Sequence, residues 1–212
     1  MSQHALAPKR RRFTPVAIAT GLLGAVLLSV SMTGTLSGFV ASIQNSTNTA
    51  ATGSLTMEEK TTSGTIVTCL STDGGTIYTN AATCATINKF GGSTAMIPGA
   101  APVNTPITIK NTGTVNAATF TLTPGLCTQT TGGVGAATNL CSKINVVLTS
   151  GVTTIFSGTA AALAAGGVIT IAGPPAAGVA VPFNFAVSVD TTADNTYQGL
   201  QASLPLTWKF TS

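Results

Sequence analysis

From Leu200 to Phe210 every second residue is apolar, and this alternation constrains the fold more than any other feature of the chain. Leu200, Ala202, Leu204, Leu206, Trp208 and Phe210 fall on one face, while Gln201, Ser203, Thr207 and Lys209 fall on the other. Successive side chains of a β-strand point to opposite faces, so the segment is predicted to be a strand buried on one side. Pro205 lies on the outward set, and a proline lacks the N–H that an interior strand must donate. The strand therefore lies at a sheet edge or bends there. The same period recurs in Phe183, Phe185, Val187 and Val189, in Ile107 with Ile109, in Phe120 with Leu122, and in Ile144, Val146 and Leu148. One-sided strands need apolar partners, and two antiparallel sheets packed face to face bury all of these faces together.

Turn chemistry separates the strands at Asp73-Gly74-Gly75, Pro98-Gly99, Asn111-Thr112-Gly113, Pro124-Gly125, Gly132-Gly133, Gly166-Gly167 and Gly173-Pro174-Pro175. Helix is scarce. Thr159 to Ala165 is the main candidate, with Thr159 able to cap, alanines and Leu163 as good formers, and Gly166 suited to the left-handed position that ends a helix. A second short helical turn is expected within Ala136 to Ser142. No fixed-period repeat is present. The expected fold is an all-β antiparallel sandwich with one or two short helices.

The N-terminus follows a different logic. Lys9-Arg10-Arg11-Arg12 precedes an uncharged apolar stretch from Pro15 to Met32, followed by small residues, which is the layout of a cleaved export signal. A membrane-spanning helix needs roughly 20 consecutive apolar residues, and Ser29, Ser31, Thr33, Gly34 and Thr35 interrupt the run first. Cleavage fits after Ser31, with Ser29 at minus three, or after Ser37, with Thr35 at minus three. Arg10-Arg11-x-Phe13 also fits a loose twin-arginine pattern, although ordinary secretion needs only the positive charge. Residues 1–37 are assigned to the signal and 38–212 to one β-sandwich domain.

Removing the signal removes the basic character. Lys60, Lys89, Lys110, Lys143 and Lys209 then stand against Glu58, Glu59, Asp73, Asp190 and Asp194, so the chain from Gly38 onward is formally neutral. Nucleic-acid binding, which draws on a basic stripe, is not expected. Near-zero charge promotes association instead. Four cysteines in an exported chain favour disulfides; Cys69 with Cys84 and Cys127 with Cys141 are the near neighbours, although four cysteines allow three connectivities and sequence alone does not choose. Their spacings are too long for paired zinc ligands, and the single histidine, His4, leaves with the signal. A Ser-His-Asp triad and a His-Glu-x-x-His site are thereby excluded. No catalytic residue, cofactor or metal is assigned. Asp190 and Asp194 read as turn residues satisfying backbone amides, with weak calcium binding as an intermediate case. Glu58-Glu59-Lys60 reads as a solvated loop start, and Gly132-Gly133-x-Gly135 lacks the context of a phosphate loop.

Several segments, in order, resemble the TasA/camelysin family of exported bacterial surface and matrix proteins: Thr35-Leu36-Ser37-Gly38-Phe39, Gly53-Ser54-Leu55-Thr56-Met57, Met96-Ile97-Pro98-Gly99, Ile107-Thr108-Ile109-Lys110-Asn111-Thr112-Gly113, and Asn195-Thr196-Tyr197-Gln198-Gly199 leading into the strand that ends at Trp208. The resemblance implies a jelly-roll sandwich, cleavage between Ser37 and Gly38 by a dedicated signal peptidase, and extracellular fibres in which each subunit donates an N-terminal strand to the next. The cysteines, the low charge and the inserts Gly64 to Lys89 and Gly125 to Lys143 depart from that pattern. The family name also carries a protease claim, for which this chain offers no residues.

The function expected is that of a secreted cell-surface or matrix fibre subunit, with Phe39, Val40, Ala41 and Ile43 as the donor strand. The same residues also read as the first strand of the chain's own sheet. Its partners are other copies of itself, the export machinery and the signal peptidase, with membrane contact only through the signal segment. A monomeric secreted or surface binding module is the alternative. One tryptophan and two tyrosines supply an aromatic sugar platform poorly.

Overall fold

Each apolar run singled out by its alternation forms a strand, except the last in the chain, which forms two. The computed structural model describes residues 49–74, 80–92, 95–130 and 133–212, of which those from Ala51 onward belong to one compact unit. The signal segment, Ser37, Gly38 and the donor-strand residues Phe39, Val40, Ala41 and Ile43 lie outside the described residues. The strands, in chain order, are β1 (Met57–Thr61), β2 (Thr68–Leu70), β3 (Val103–Asn111), β4 (Thr119–Pro124), β5 (Thr128–Gln129), β6 (Ile144–Ser150), β7 (Thr153–Thr159), β8 (Ile169–Thr170), β9 (Ala180–Val189), β10 (Ala202–Ser203) and β11 (Leu206–Thr211), with the helix α1 (Ala160–Ala165) between β7 and β8.

A six-stranded antiparallel sheet in the order β2-β1-β3-β9-β6-β7 faces a three-stranded sheet in the order β11-β4-β8, with a two-stranded ladder of β10 and β5 beside it. The chain passes between the two larger sheets at β3 to β4, β4 to β6 by way of β5, β7 to β8, β8 to β9, and β9 to β11 by way of β10. These crossings make it a jelly-roll-like sandwich rather than a meander. Ile107, Ile109, Val146, Leu148, Phe183, Phe185 and Val187 from the large sheet meet Phe120 and Leu122 from the small one, all nearly or fully buried. Phe120 packs edge-on against Phe183 at 5.8 Å and Phe210 at 4.9 Å between ring centroids, and Trp208 lies 4.7 Å from Phe183. Burying one such side chain contributes about 1.5–3 kcal/mol.

Two prolines sit in long strands of the large sheet without breaking it. The Pro106 carbonyl accepts from Thr62 N, and in an antiparallel strand a residue's N–H points to the same side as its carbonyl. Its missing N–H therefore faces β1, whose ladder with β3 ends one residue away at Thr61 and Ile107. The Pro182 carbonyl accepts from Ser150 Oγ, beyond the last β6–β9 partners, Thr149 and Asn184. Each proline stands where a neighbouring ladder has run out.

Three details differ from the sequence reading. The final strand is split at Leu204-Pro205 into β10, which pairs with β5, and β11, which pairs with β4 at the edge of the small sheet. The alternation survives the break, with Ala202, Leu204, Leu206, Trp208 and Phe210 turned inward. Thr159 caps α1 by accepting from Ala162 N at 3.1 Å, but Gly166 keeps helical angles and Gly167 takes the left-handed conformation at φ 70°. The second helical turn is confined to a 3-10 turn at Leu140–Ser142.

Candidate functional site

Asn111 organises one end of the large sheet. It is fully buried, its Nδ2 donates to the carbonyls of Val115 at 2.9 Å and Pro175 at 3.1 Å, and its Oδ1 accepts from Gly113 N at 3.0 Å. Gly113 is required in that turn because a Cβ there would stand 2.3 Å from the Ser54 carbonyl oxygen. The turn pins the segment that leads into β1, and β1 carries the residue that sequence reasoning misplaced. Glu58-Glu59-Lys60 is strand, not a solvated loop start. Glu59 pairs with Ile109 on β3 and with Cys69 on β2, so it shares the inward face of the sheet and is buried at 8 % exposure. The signal was its phase, since Leu55, Met57 and Glu59 alternate.

Among the described residues the small sheet stops at β11, and the inner face of β1 and β2 continues with no strand above it. The space is a cleft of about 690 Å³. Met57, Glu59 and Cys69 contribute to its floor, the Asn80–Cys84 segment to one wall, and β11 to the other. Residues of both faces of β11, Thr207 and Lys209 as well as Leu206, Trp208 and Phe210, line it, so the cleft follows the strand's edge. Among the described residues no strand pairs with that edge. An unpaired edge beside an apolar shelf is a template for a further strand.

The cleft is not uniformly apolar. Lys89 Nζ stands 2.7 Å from Glu59 Oε1, with both side chains 10 % exposed. The distance is that of an ion pair, but the alignment is not that of a hydrogen bond, and the buried Oε1 has no aligned donor among the described residues. Trp208 Nε1 is likewise buried without an acceptor. The Asn80–Cys84 wall is held by the disulfide between Cys69 and Cys84 and by Asn80 Nδ2 donating to the Leu55 carbonyl at 2.8 Å. Asp73 Oδ2 accepts from Leu70 N at 2.7 Å, closing the turn after β2.

The second disulfide, Cys127 to Cys141, lies in the other insert. It closes a loop that Gln129 also ties, with Nε2 donating to the Ala137 carbonyl and Oε1 accepting from Leu140 N, each at 2.7 Å. No described cysteine is free, as suits an oxidising compartment. Among the described residues no helix is long and apolar enough to cross a membrane.

Asp190 and Asp194 each serve their own turn. Asp190 Oδ1 accepts from the hydroxyl and backbone N of Thr192, and Asp194 Oδ1 from those of Thr196. These threonine hydroxyls, and then the backbone amides, hold both carboxyls below the usual aspartate value of 3.8. Neither is paired with the other as an acid and base would be, and among the described residues no cluster of three His, Cys, Asp or Glu side chains is placed to hold a metal. The cleft presents a strand edge, a mixed apolar and polar lining and one buried ion pair. No protein-family model matches the chain, and no curated protein matches it.

Proposed function

We propose that this chain is a secreted, non-catalytic structural protein of the cell surface or extracellular matrix, a fibre subunit whose N-terminal strand, with Phe39, Val40, Ala41 and Ile43, lies along β11 of the next copy. The observation that carries the reading is the cleft beside the unpaired edge of β11. In strand addition the backbone supplies hydrogen bonds and alternate side chains enter pockets. A strand rises about 3.4 Å per residue, so the nine residues from Gly38 to Ser46 are longer than β11, Leu206–Thr211. The formally neutral composition after Gly38 lowers the repulsion between copies, and the resemblance to the TasA/camelysin family points the same way. Export machinery and a signal peptidase cutting between Ser37 and Gly38 are the other partners.

Deleting Gly38 to Ser46 tests the proposal. The truncated protein is expected to keep its circular dichroism and thermal transition while failing to form filaments in electron microscopy. Filaments from the truncated protein would rule out donation by this segment. Collapse of its stability would assign the segment to the chain's own sandwich, and persistent monomers of the untruncated mature protein would favour a surface binding module that uses the same cleft.

A further inference from the structure

Glu59 is an acid on an otherwise apolar inward phase, directly beside the fully buried Ile109. Among the described residues Lys89 is the cation that reaches it, at 2.7 Å and without the alignment of a hydrogen bond. A carboxylate accepts at about four lone-pair sites, and leaving a buried charge short of donors is costly. The remaining exposure of both side chains, 10 % each, opens into the cleft that they line. Any strand laid along β11 removes that solvent. An apolar side chain above Glu59 would strip water from the pair and return nothing, whereas a hydroxyl or amide would replace that water with a charge-assisted hydrogen bond to the exposed part of the carboxylate.

We propose that the Glu59–Lys89 pair selects the strand the cleft accepts, admitting one with a hydrogen-bond donor (Ser, Thr, Asn or Gln) above Glu59 and apolar residues at the other inward positions, and rejecting a wholly apolar strand. The inference rests on the strand-accepting reading of the cleft. The occupant is the N-terminal segment of a second copy, because its sequence has this pattern: the phase that turns Phe39, Ala41 and Ile43 inward turns Asn45 inward next. Asn45 is then the donor; sliding the strand by two residues one way would place Ile43 over the carboxylate and the other way Thr47, a second donor, so the pair excludes the registers that put Phe39, Ala41 or Ile43 there. The pair is thus a positioning device for assembly, and it costs stability in the unassembled subunit.

The test uses two synthetic peptides spanning Gly38 to Asn48, one native and one carrying Asn45→Leu, titrated by fluorescence anisotropy into mature protein kept monomeric by dilution, so that the cleft is free of another copy's strand. The native peptide is expected to bind about tenfold more tightly, the scale of one hydrogen bond to a charged group. In the protein carrying both Glu59→Leu and Lys89→Met the order should reverse. Replacing a buried ion pair by apolar residues of similar size is often neutral for stability, and a thermal melt checks this variant. If it does not fold, the peptide preference of the unaltered protein still decides. Equal affinity for the two peptides there overturns the selection proposal and leaves strand donation standing. Preference for the native peptide that persists unchanged in the double variant also overturns it, since Asn45 would then act elsewhere. Failure of both peptides to bind overturns this proposal together with the strand-accepting cleft.

Discussion

At the β6–β7 margin of the large sheet, α1 closes the sandwich with Ala160 and Leu163, both fully buried, packed near β4, β6 and β7. At the β2–β1 margin the layer above the sheet is a cleft, and the residues beneath it are Met57, Glu59 and Cys69. The first margin is held by apolar burial, which is non-directional and tolerates no gap. The second is held by a disulfide, an ion pair and a few side-chain hydrogen bonds to backbone. Those ties keep a surface in shape without covering it. Under the proposed strand addition, a margin that receives a strand cannot be finished with its own apolar side chains, and its rigidity comes from bonds that leave the edge of β11 clear.

The comparison breaks first at its apolar end. Phe185→Ala, in the covered half and fully buried, is expected to lower stability by about 4 kcal/mol, read by denaturant unfolding. A loss below about 1 kcal/mol would mean that the covered half is not the seat of stability. At the open margin, Lys89→Met leaves the Glu59 carboxylate buried and unpaired, at a cost of about 3 kcal/mol, whereas Glu59→Leu combined with Lys89→Met should return to within about 1 kcal/mol of the unaltered protein. Equal losses in the single and double variants would show that the pair is not coupled.

Replacing Cys69 and Cys84 together by serine should cost about 3 kcal/mol, and replacing Cys127 and Cys141 about the same, because the sequence separations are 15 and 14 and loop closure depends only weakly on length. The two should differ in where the structure loosens. Hydrogen exchange is expected to rise across Asn80 to Cys84 only when the first pair is removed, and identical exchange maps would erase the distinction between the two inserts. The smallest effect concerns acid. Asp190 titrates below its unfolded value, so its contribution is fully present above that value and is lost as pH falls through the folded one. Thr192→Val removes the largest cause of the lowering and should move the carboxyl back toward 3.8 in an NMR titration; an unchanged midpoint would contradict the turn described here.

Period two was enough to find β3, β4, β6, β9 and the face of β11, because one-sided burial writes itself into every second residue. It was not enough to separate β10 from β11. Leu204 and Pro205 keep the alternation while the strand changes partner from β5 to β4, and partner choice leaves no mark on phase. Glu59 was misjudged for a related reason: beside Glu58 and Lys60 an acid reads as solvated, and its place in the Leu55, Met57, Glu59 phase is outweighed until the β1–β3 register shows that it points inward. The short strands β2, β5 and β8 carry two or three residues each, too few for a period to register.

The sequence alone determined the class of fold, the nearest-neighbour cysteine pairs as one of three connectivities, and the neutrality of the chain after its basic N-terminus, because alternation, spacing and charge are local or additive properties. Which edge is left open, which carboxylate lies beneath it and which lysine reaches that carboxylate were decided only in the tertiary structure. They depend on where the small sheet ends over the large one, and that boundary comes from contacts between residues far apart in the chain.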